Sequence, residues 1–143
     1  LFEDEIFFAA PADSAYAKQP VIDLGACADE RFVSLNEGYV THDRFRDAFR
    51  VAGFEPNVVM TTNDIFSLMN LVGGGIGCTL LPGRIRSVLP RSVCLVPLLP
   101  QFQMRQKISV IFLRTRERDP NLLSLLAACR SHSAELQAAP VRG

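Results

Sequence analysis

Leu71-Val-Gly-Gly-Gly-Ile-Gly-Cys-Thr-Leu-Leu-Pro82 is the stretch whose order decides the fold. Apolar residues at helical spacing, Ile65, Leu68 and Val72, lead into the glycines, and the strand-like run Ile76 to Leu81 follows them. A phosphate-binding glycine turn has the opposite order, strand first and helix second, because helix N-terminal amides must face the phosphate. The order therefore argues against a phosphate cradle. Gly73, Gly74, Gly75 and Gly77 belong instead to a helix-to-strand connection, where they end one element and let the next pack closely.

Working outward, the same alternation repeats. Asn57 to Thr61 reads as a strand, and Thr62 or Asn63 as the N-cap of the helix that runs into the glycines. Before it, Arg31 to Leu35 is a short apolar strand, broken by Asn36-Glu37-Gly38-Tyr39, with a helix beginning at Thr41 or His42. That helix sets Phe45, Ala48, Phe49 and Ala52 on one face and Arg44, Arg46, Asp47 and Arg50 on the other. Gly53 supplies its left-handed C-terminal residue, Phe54 packs back on the last turn, and Pro56 prevents continuation.

At the N-terminal end, Ile6 to Ala10 predicts a buried strand stopped by Pro11. The preceding Glu3-Asp4-Glu5 reads as a solvated strand entrance rather than a cation site. A small, polar connector follows from Ala12 to Gln19, then a short helix or turn at Val21 to Leu24. Beyond the glycines come a short helix from Gly83 to Leu89 and a strand from Val93 to Leu98, whose Pro97 places it at an edge or at a crossing between lobes. A polar link leads to a continuous apolar strand, Ile108 to Leu113. Asp119-Pro120 then gives N-cap and N1 of a last helix with Leu122, Leu126 and Cys129 on one face, ending in a frayed polar tail from Ala138 to Gly143. Strands alternating with helices predict an α/β domain with a mostly parallel sheet, helices on both faces and ligands at the carboxyl ends of the strands.

Composition narrows the function. The 143 residues carry 15 basic and 15 acidic side chains, so no basic surplus exists to neutralise many phosphates, and any DNA contact is expected to come from elsewhere. Cys27, Cys78, Cys94 and Cys129 are widely separated and, with His42 and His132, form no metal-ligand spacing; no metal and no cofactor is expected. Thiols in apolar runs fit a reducing cytoplasm. There is neither a bilayer-spanning run nor a signal peptide, and the start at Leu1 without a methionine reads as a piece of something longer.

Two turns follow strands and open helices: Asn36 to His42, and Thr61 to Asp64. Free amides and the positive dipole end favour a small anion there, with hydroxyl and amide side chains as additional donors. Thr41, Thr62 and Asn63 could supply such donors, with helix capping as a plain alternative, and Tyr39 beside Gly38 could stack on or cover a ligand. His42 lacks a nucleophile or acid partner at a recognisable spacing and reads as a rim residue, so no catalytic residue is assigned.

The opening LFEDEIFFAAP, the helix stop Gly53-Phe54-Glu55-Pro56, Asn63-Asp64, the pattern LVxxGxGxxLLP from Leu71 and the VPL strand together resemble the effector-binding domain of LysR-type transcriptional regulators, over essentially the whole chain. The resemblance implies a periplasmic-binding-protein-like fold of two α/β lobes with an inducer in the cleft, contacted on this sequence by Ser34, Asn36, Glu37, Gly38, Tyr39, Thr41, Thr62 and Asn63. Residues 12–98 would form the second lobe, and residues 1–11 with 99–143 part of the first. It further implies a cytoplasmic, homodimeric or homotetrameric regulator that is not an enzyme. DNA would be contacted only through a winged helix-turn-helix outside this chain, and RNA polymerase is a further possible partner. SLNEGYVTHDRF and NDIFSLMNLV are similar to regulators of malonate use, which implies a small carboxylate effector. A solute-binding protein of a transport system, sharing the fold, is the alternative.

Overall fold

The computed structural model describes residues 2–138. Six strands, β1 (Phe2–Pro11), β2 (Arg31–Leu35), β3 (Asn57–Thr62), β4 (Thr79–Pro82), β5 (Val93–Val96) and β6 (Arg105–Ile108), accompany three α-helices, α1 (Val40–Ala52), α2 (Ile65–Gly73) and α3 (Pro120–Ala138), with short 3-10 turns between them. The chain forms two compact units, Glu5–Arg105 in one and residues 2–4 with 106–138 in the other.

In the larger unit β1 lies between β4 and β5 and is antiparallel to both, with Phe8 opposite Leu80 on one side and Val96 on the other. β2 and β3 are parallel, with a register shift between Phe32 and Val33. A parallel bridge from Phe32 to Cys78 joins these two groups, fastened by Val33 N–H to the Cys78 carbonyl at 2.9 Å and Cys78 N–H to the Arg31 carbonyl at 2.8 Å. The resulting strand order is β3-β2-β4-β1-β5. The mostly parallel sheet expected from the alternation is thus corrected to a mixed one. β1 precedes the first strand-helix repeat, so helix alternation carries no information about its direction.

Two apolar layers cover this sheet because successive strand residues face opposite sides. Ile6, Phe8, Phe32, Cys78 and Leu80 pack with Phe45, Ala48 and Phe49 of α1. Ala9, Val33, Leu35 and Leu81 pack with Leu68, Met69 and Val72 of α2. Phe32, Phe45, Phe49 and Phe54 form an edge-to-face cluster, with ring centroids 4.6 Å apart for Phe32 and Phe49 and 5.1 Å for Phe49 and Phe54.

The glycine stretch closes α2 as a left-handed cap. Gly75 N–H donates to the Val72 carbonyl at 2.9 Å and Ile76 N–H to the Leu71 carbonyl at 3.1 Å, which requires φ of +76° at Gly75. Gly77 serves close approach: a Cβ there would lie 2.8 Å from the Arg31 carbonyl oxygen. The strand after it begins at Thr79, later than the expected Ile76, because residues 74–76 are used by the cap, Gly77 by the close approach to Arg31 and Cys78 by the bridge. Gly53 closes α1 in the same way, at φ +85°.

Other expectations shift at the ends of elements. α1 starts at Val40, with Tyr39 in the N-cap position, rather than at Thr41 or His42. A 3-10 turn spans Leu24–Cys27, where Val21 to Leu24 was expected, and Ile22 bridges Leu98 instead. β6 covers Arg105–Ile108, largely within the expected link, and residues 109–113 form no strand. Ile111 is 93% exposed and Leu113 70%, so this apolar run has no partner ladder among the described residues. α3 begins as read: the Asp119 carboxylate accepts from the Asn121 amide at 2.9 Å and the Leu122 amide at 3.4 Å. The tail from residue 139 onward lies outside the described residues.

Candidate functional site

Parallel pairing of β2 and β3 sets Ser34 beside Thr61 and Leu35 beside Thr62, so the two strand-to-helix turns emerge side by side at the carboxyl edge. Side chains then fasten one turn to the other. Asn36 donates its side-chain amide to the Asn63 side-chain carbonyl, and the Tyr39 hydroxyl donates to the Asn63 backbone carbonyl. The Asn36 N–H donates to the Thr62 carbonyl at 3.0 Å. Asn36, Tyr39, Thr62 and Asn63 are therefore brought together, although they lie far apart in sequence.

The remaining sequence-predicted residues fall into different places. Glu37 and Gly38 are exposed at the tip of the first turn, Gly38 with φ of +95°. Thr41 is half-buried on the first turn of α1. Ser34 is buried, its hydroxyl donating to the Leu35 carbonyl at 3.1 Å, and it faces α1 rather than the joined turns.

The two helix ends differ in electrostatics. Asp64, not Thr62 or Asn63, caps α2, its carboxylate accepting from the Phe66 and Ser67 amides at 2.9 Å each. Bonding from the Ser67 side chain, then from the Ser67 and Phe66 amides, holds the Asp64 carboxyl below its ordinary value of 3.8. An anion already occupies that helix end. At α1, by contrast, Tyr39 provides no side-chain cap; the His42 N–H donates to the Tyr39 carbonyl at 2.9 Å and Asp43 lies in the first turn, so the Val40 and Thr41 amides are the ones left at the positive end of the dipole. The aspartate was readable as a capping type in sequence. Thr62 and Asn63 competed with it, and only the backbone shows which residue takes the cap.

A groove in the larger unit escaped the sequence reading. It encloses about 710 Å³ between α1 and the face of β3, with Phe45, Phe49, Phe54, Pro56 and Val58 as apolar lining and Ser34 and Thr61 at the strand ends. His42, Arg46 and Arg50, spaced i, i+4, i+8, line its helical wall. His42 Nδ1 is buried without a hydrogen-bond partner, 3.6 Å from the Asp43 carboxylate. In sequence Arg46 and Arg50 read as the solvent face of an amphipathic helix and His42 as a rim residue, so their shared spacing was not connected.

Three buried or half-buried thiols complete the unit. Burial pushes the Cys27 thiol up to about 11 and the Cys78 thiol up to about 12, and it also raises that of Cys94. They are packing groups rather than nucleophiles. Among the described residues, no cluster of His, Cys, Asp and Glu is arranged to hold a metal ion, and no helix is long and apolar enough to cross a membrane.

Comparison with known proteins places this geometry. Residues 1–134 match the family model of the LysR substrate binding domain. The chain is 47% identical over 136 residues to the malonate utilization transcriptional regulator of Klebsiella pneumoniae, covering 95% of this chain and 44% of that protein. The structure superimposes on HinK, a LysR family transcriptional regulator from Pseudomonas aeruginosa, with a TM-score of 0.77 at 19% identity, covering 94% of this chain and 47% of that one. It also matches the BenM effector binding domain with its effector benzoate, with a TM-score of 0.71 at 18% identity over 99% of this chain and 64% of that chain. The chain thus spans less than half the length of its curated relative.

Proposed function

The chain belongs to the LysR substrate-binding domain family, and from that premise we propose that it senses a small dicarboxylate of the malonate type at the joined turns Asn36–Tyr39 and Thr62–Asn63. The observation that carries the reading is the asymmetry of the two helix ends. Asp64 fills the α2 end with its own carboxylate, while α1 offers an end without a side-chain cap beside the Asn36, Tyr39 and Asn63 groups. One carboxylate would be held by the first-turn amides of α1 and by Thr41. The second would draw on the amides of the joined turns, with Thr62 at their edge. Glu37 and Gly38, at the exposed tip, would close over the ligand. Ser34 would act from below, by fixing the strand end. The 47% identical malonate regulator supports the ligand class.

Residues 12–98 would be the second lobe of the sensor, and residues 1–11 with 99–143 part of the first, the cleft lying at the strand ends. In the longer regulator, ligand binding would shift lobe closure and so the arrangement of DNA-binding winged helix-turn-helix domains and contacts with RNA polymerase. The exposed apolar residues Val58, Val59 and Met60 on β3, with Val51 on α1, support pairing of copies into a homodimer or homotetramer through this edge. The relatives are transcriptional regulators, so the site is read as a sensor rather than an enzyme, working in the cytoplasm. The relatives named above are transcriptional regulators rather than solute-binding proteins of transport systems, which favours the sensor reading.

A thermal-shift screen of malonate, succinate, acetate and neutral malonamide on a protein carrying both complete lobes tests the assignment. Malonate is expected to raise Tm in a saturable way and malonamide to leave it unchanged; equal responses to both would remove the anion-binding role of the turns. DNase footprinting of the full-length regulator with and without malonate then tests the link to DNA.

A further inference from the structure

We propose that Arg84, in the turn that leaves β4, determines the specificity of the joined turns for a dicarboxylate by supplying the counter-charge for its second carboxylate, a role that rests on the effector reading above. The need for a cation follows from the distribution of charge. No lysine or arginine occurs from Phe32 to Asp43 or from Val51 to Gly83, the two segments that contain the turns, whereas Glu37, Asp43 and Asp64 place carboxylates at or beside them. A ligand with two negative charges is repelled by such surroundings unless a cation faces it, and hydrogen bonds between ionised partners are the strong ones.

Strand order supplies the candidate. β4 lies beside β2 and parallel to it, with Phe32 bridging Cys78. Counted along both strands from that bridge, Leu35 is level with Leu81 and Asn36 with Pro82, so the chain leaves β4 at the same carboxyl edge as the joined turns. It passes at once into a 3-10 turn, Gly83–Val88. Ile85 points inward, buried in one layer with Leu35, Leu68 and Leu81. Arg86 turns to the β1 side, its guanidinium 4.6 Å from the centroid of the Phe7 ring. With three residues per turn, Arg84 and Arg86 leave Ile85 on opposite flanks, and the flank away from β1 is the one beside β2 and Asn36. Arg84 is exposed. Its planar fork matches a carboxylate, and five donors let it keep a contact within the protein while gripping a ligand.

The test is calorimetric titration of the full-length regulator with malonate and with β-alanine, in which an ammonium group replaces one carboxylate. Arg84→Glu is expected to bind malonate about ten-fold more weakly and β-alanine about ten-fold more tightly than the parent, an exchange of charge preference that lost folding would not produce. Arg84→Lys should keep the parent's preference for malonate. Arg86→Glu, which removes the stacking on Phe7, should lower Tm without exchanging the preference. Unaltered malonate affinity in Arg84→Glu, equal weakening of both ligands, or the same exchange in Arg86→Glu would each overturn the role of Arg84 and leave the turns as the effector site. A parent that binds no malonate would overturn both.

Discussion

At the residue scale the account rests on a few side chains with separable tasks. Asp64 caps α2, and its carboxyl is held below the ordinary 3.8. A group with a depressed folded value contributes stability that is fully present above its unfolded value, so the capping contribution is expected to begin to fall as pH drops past the ordinary 3.8 and to be lost only as pH passes below the depressed folded value. Asp64→Ala should lower Tm at neutral pH and show a smaller acid-induced loss than the parent, measured by calorimetry across pH 3 to 7. Gly77 has a different task. Its α-carbon passes so close to β2 that a Cβ would meet the Arg31 carbonyl at 2.8 Å. Gly77→Ala should therefore destabilise by about 1–3 kcal/mol through displacement of the β2–β4 bridge, read as a lower denaturant midpoint without a changed slope. The sequence showed that these glycines joined a helix to a strand. It did not separate Gly75, which needs a left-handed backbone, from Gly77, which needs an empty side, because both demands select the same residue.

At the scale of elements, α1 shows how a correct reading stops at the termini. Its length, its apolar face and its Gly53 stop follow from periodicity and turn chemistry, and the structure has them. Its start was misplaced onto Thr41 or His42 because those types resemble caps, whereas Tyr39 occupies the position and uses its hydroxyl on the neighbouring turn. No local pattern encodes that bond, which depends on β3 lying alongside. Of the expected strand Ile108 to Leu113 only Ile108 lies in a strand, and residues 109–113 teach the same point from the other side: apolar residues in sequence license a strand only where another strand takes the backbone bonds. The buried face of α1 supports a firm expectation. Phe49 is 1% exposed and sits at the centre of the aromatic cluster, so Phe49→Ala should cost about 3–5 kcal/mol, as measured by denaturant unfolding.

For the whole molecule, the fold was legible as an α/β effector-binding domain, and Gly53-Phe54-Glu55-Pro56 together with LVxxGxGxxLLP carried the resemblance to its family, but the sheet is mixed because β1 runs against β4 and β5. The core thiols report on the integrity of the larger unit. Folded values raised above the ordinary 9.0, to about 11 for Cys27 and about 12 for Cys78, mean that their stabilising contribution is intact below pH 9 and lost as pH rises through 11 and 12. Both should resist aromatic disulfide reagents at pH 8 until denaturant is added, as counted by absorbance. Of the candidate site, the two turns were readable from strand-helix order. Their fastening through Asn36, Tyr39 and Asn63 arises from pairing across distant residues, whereas the closing of the α2 end by Asp64 is local and was obscured by Thr62 and Asn63 as rival caps. The central claim is that these fastened turns hold the carboxylate effector. It is tested most directly by calorimetric titration of malonate into the two-lobed protein and its Asn63→Ala variant. The account predicts saturable binding in the parent and, from loss of the fastening side-chain hydrogen bond, about ten-fold weaker binding in the variant with nearly unchanged Tm; absence of binding, or equal affinity in both proteins, would contradict it.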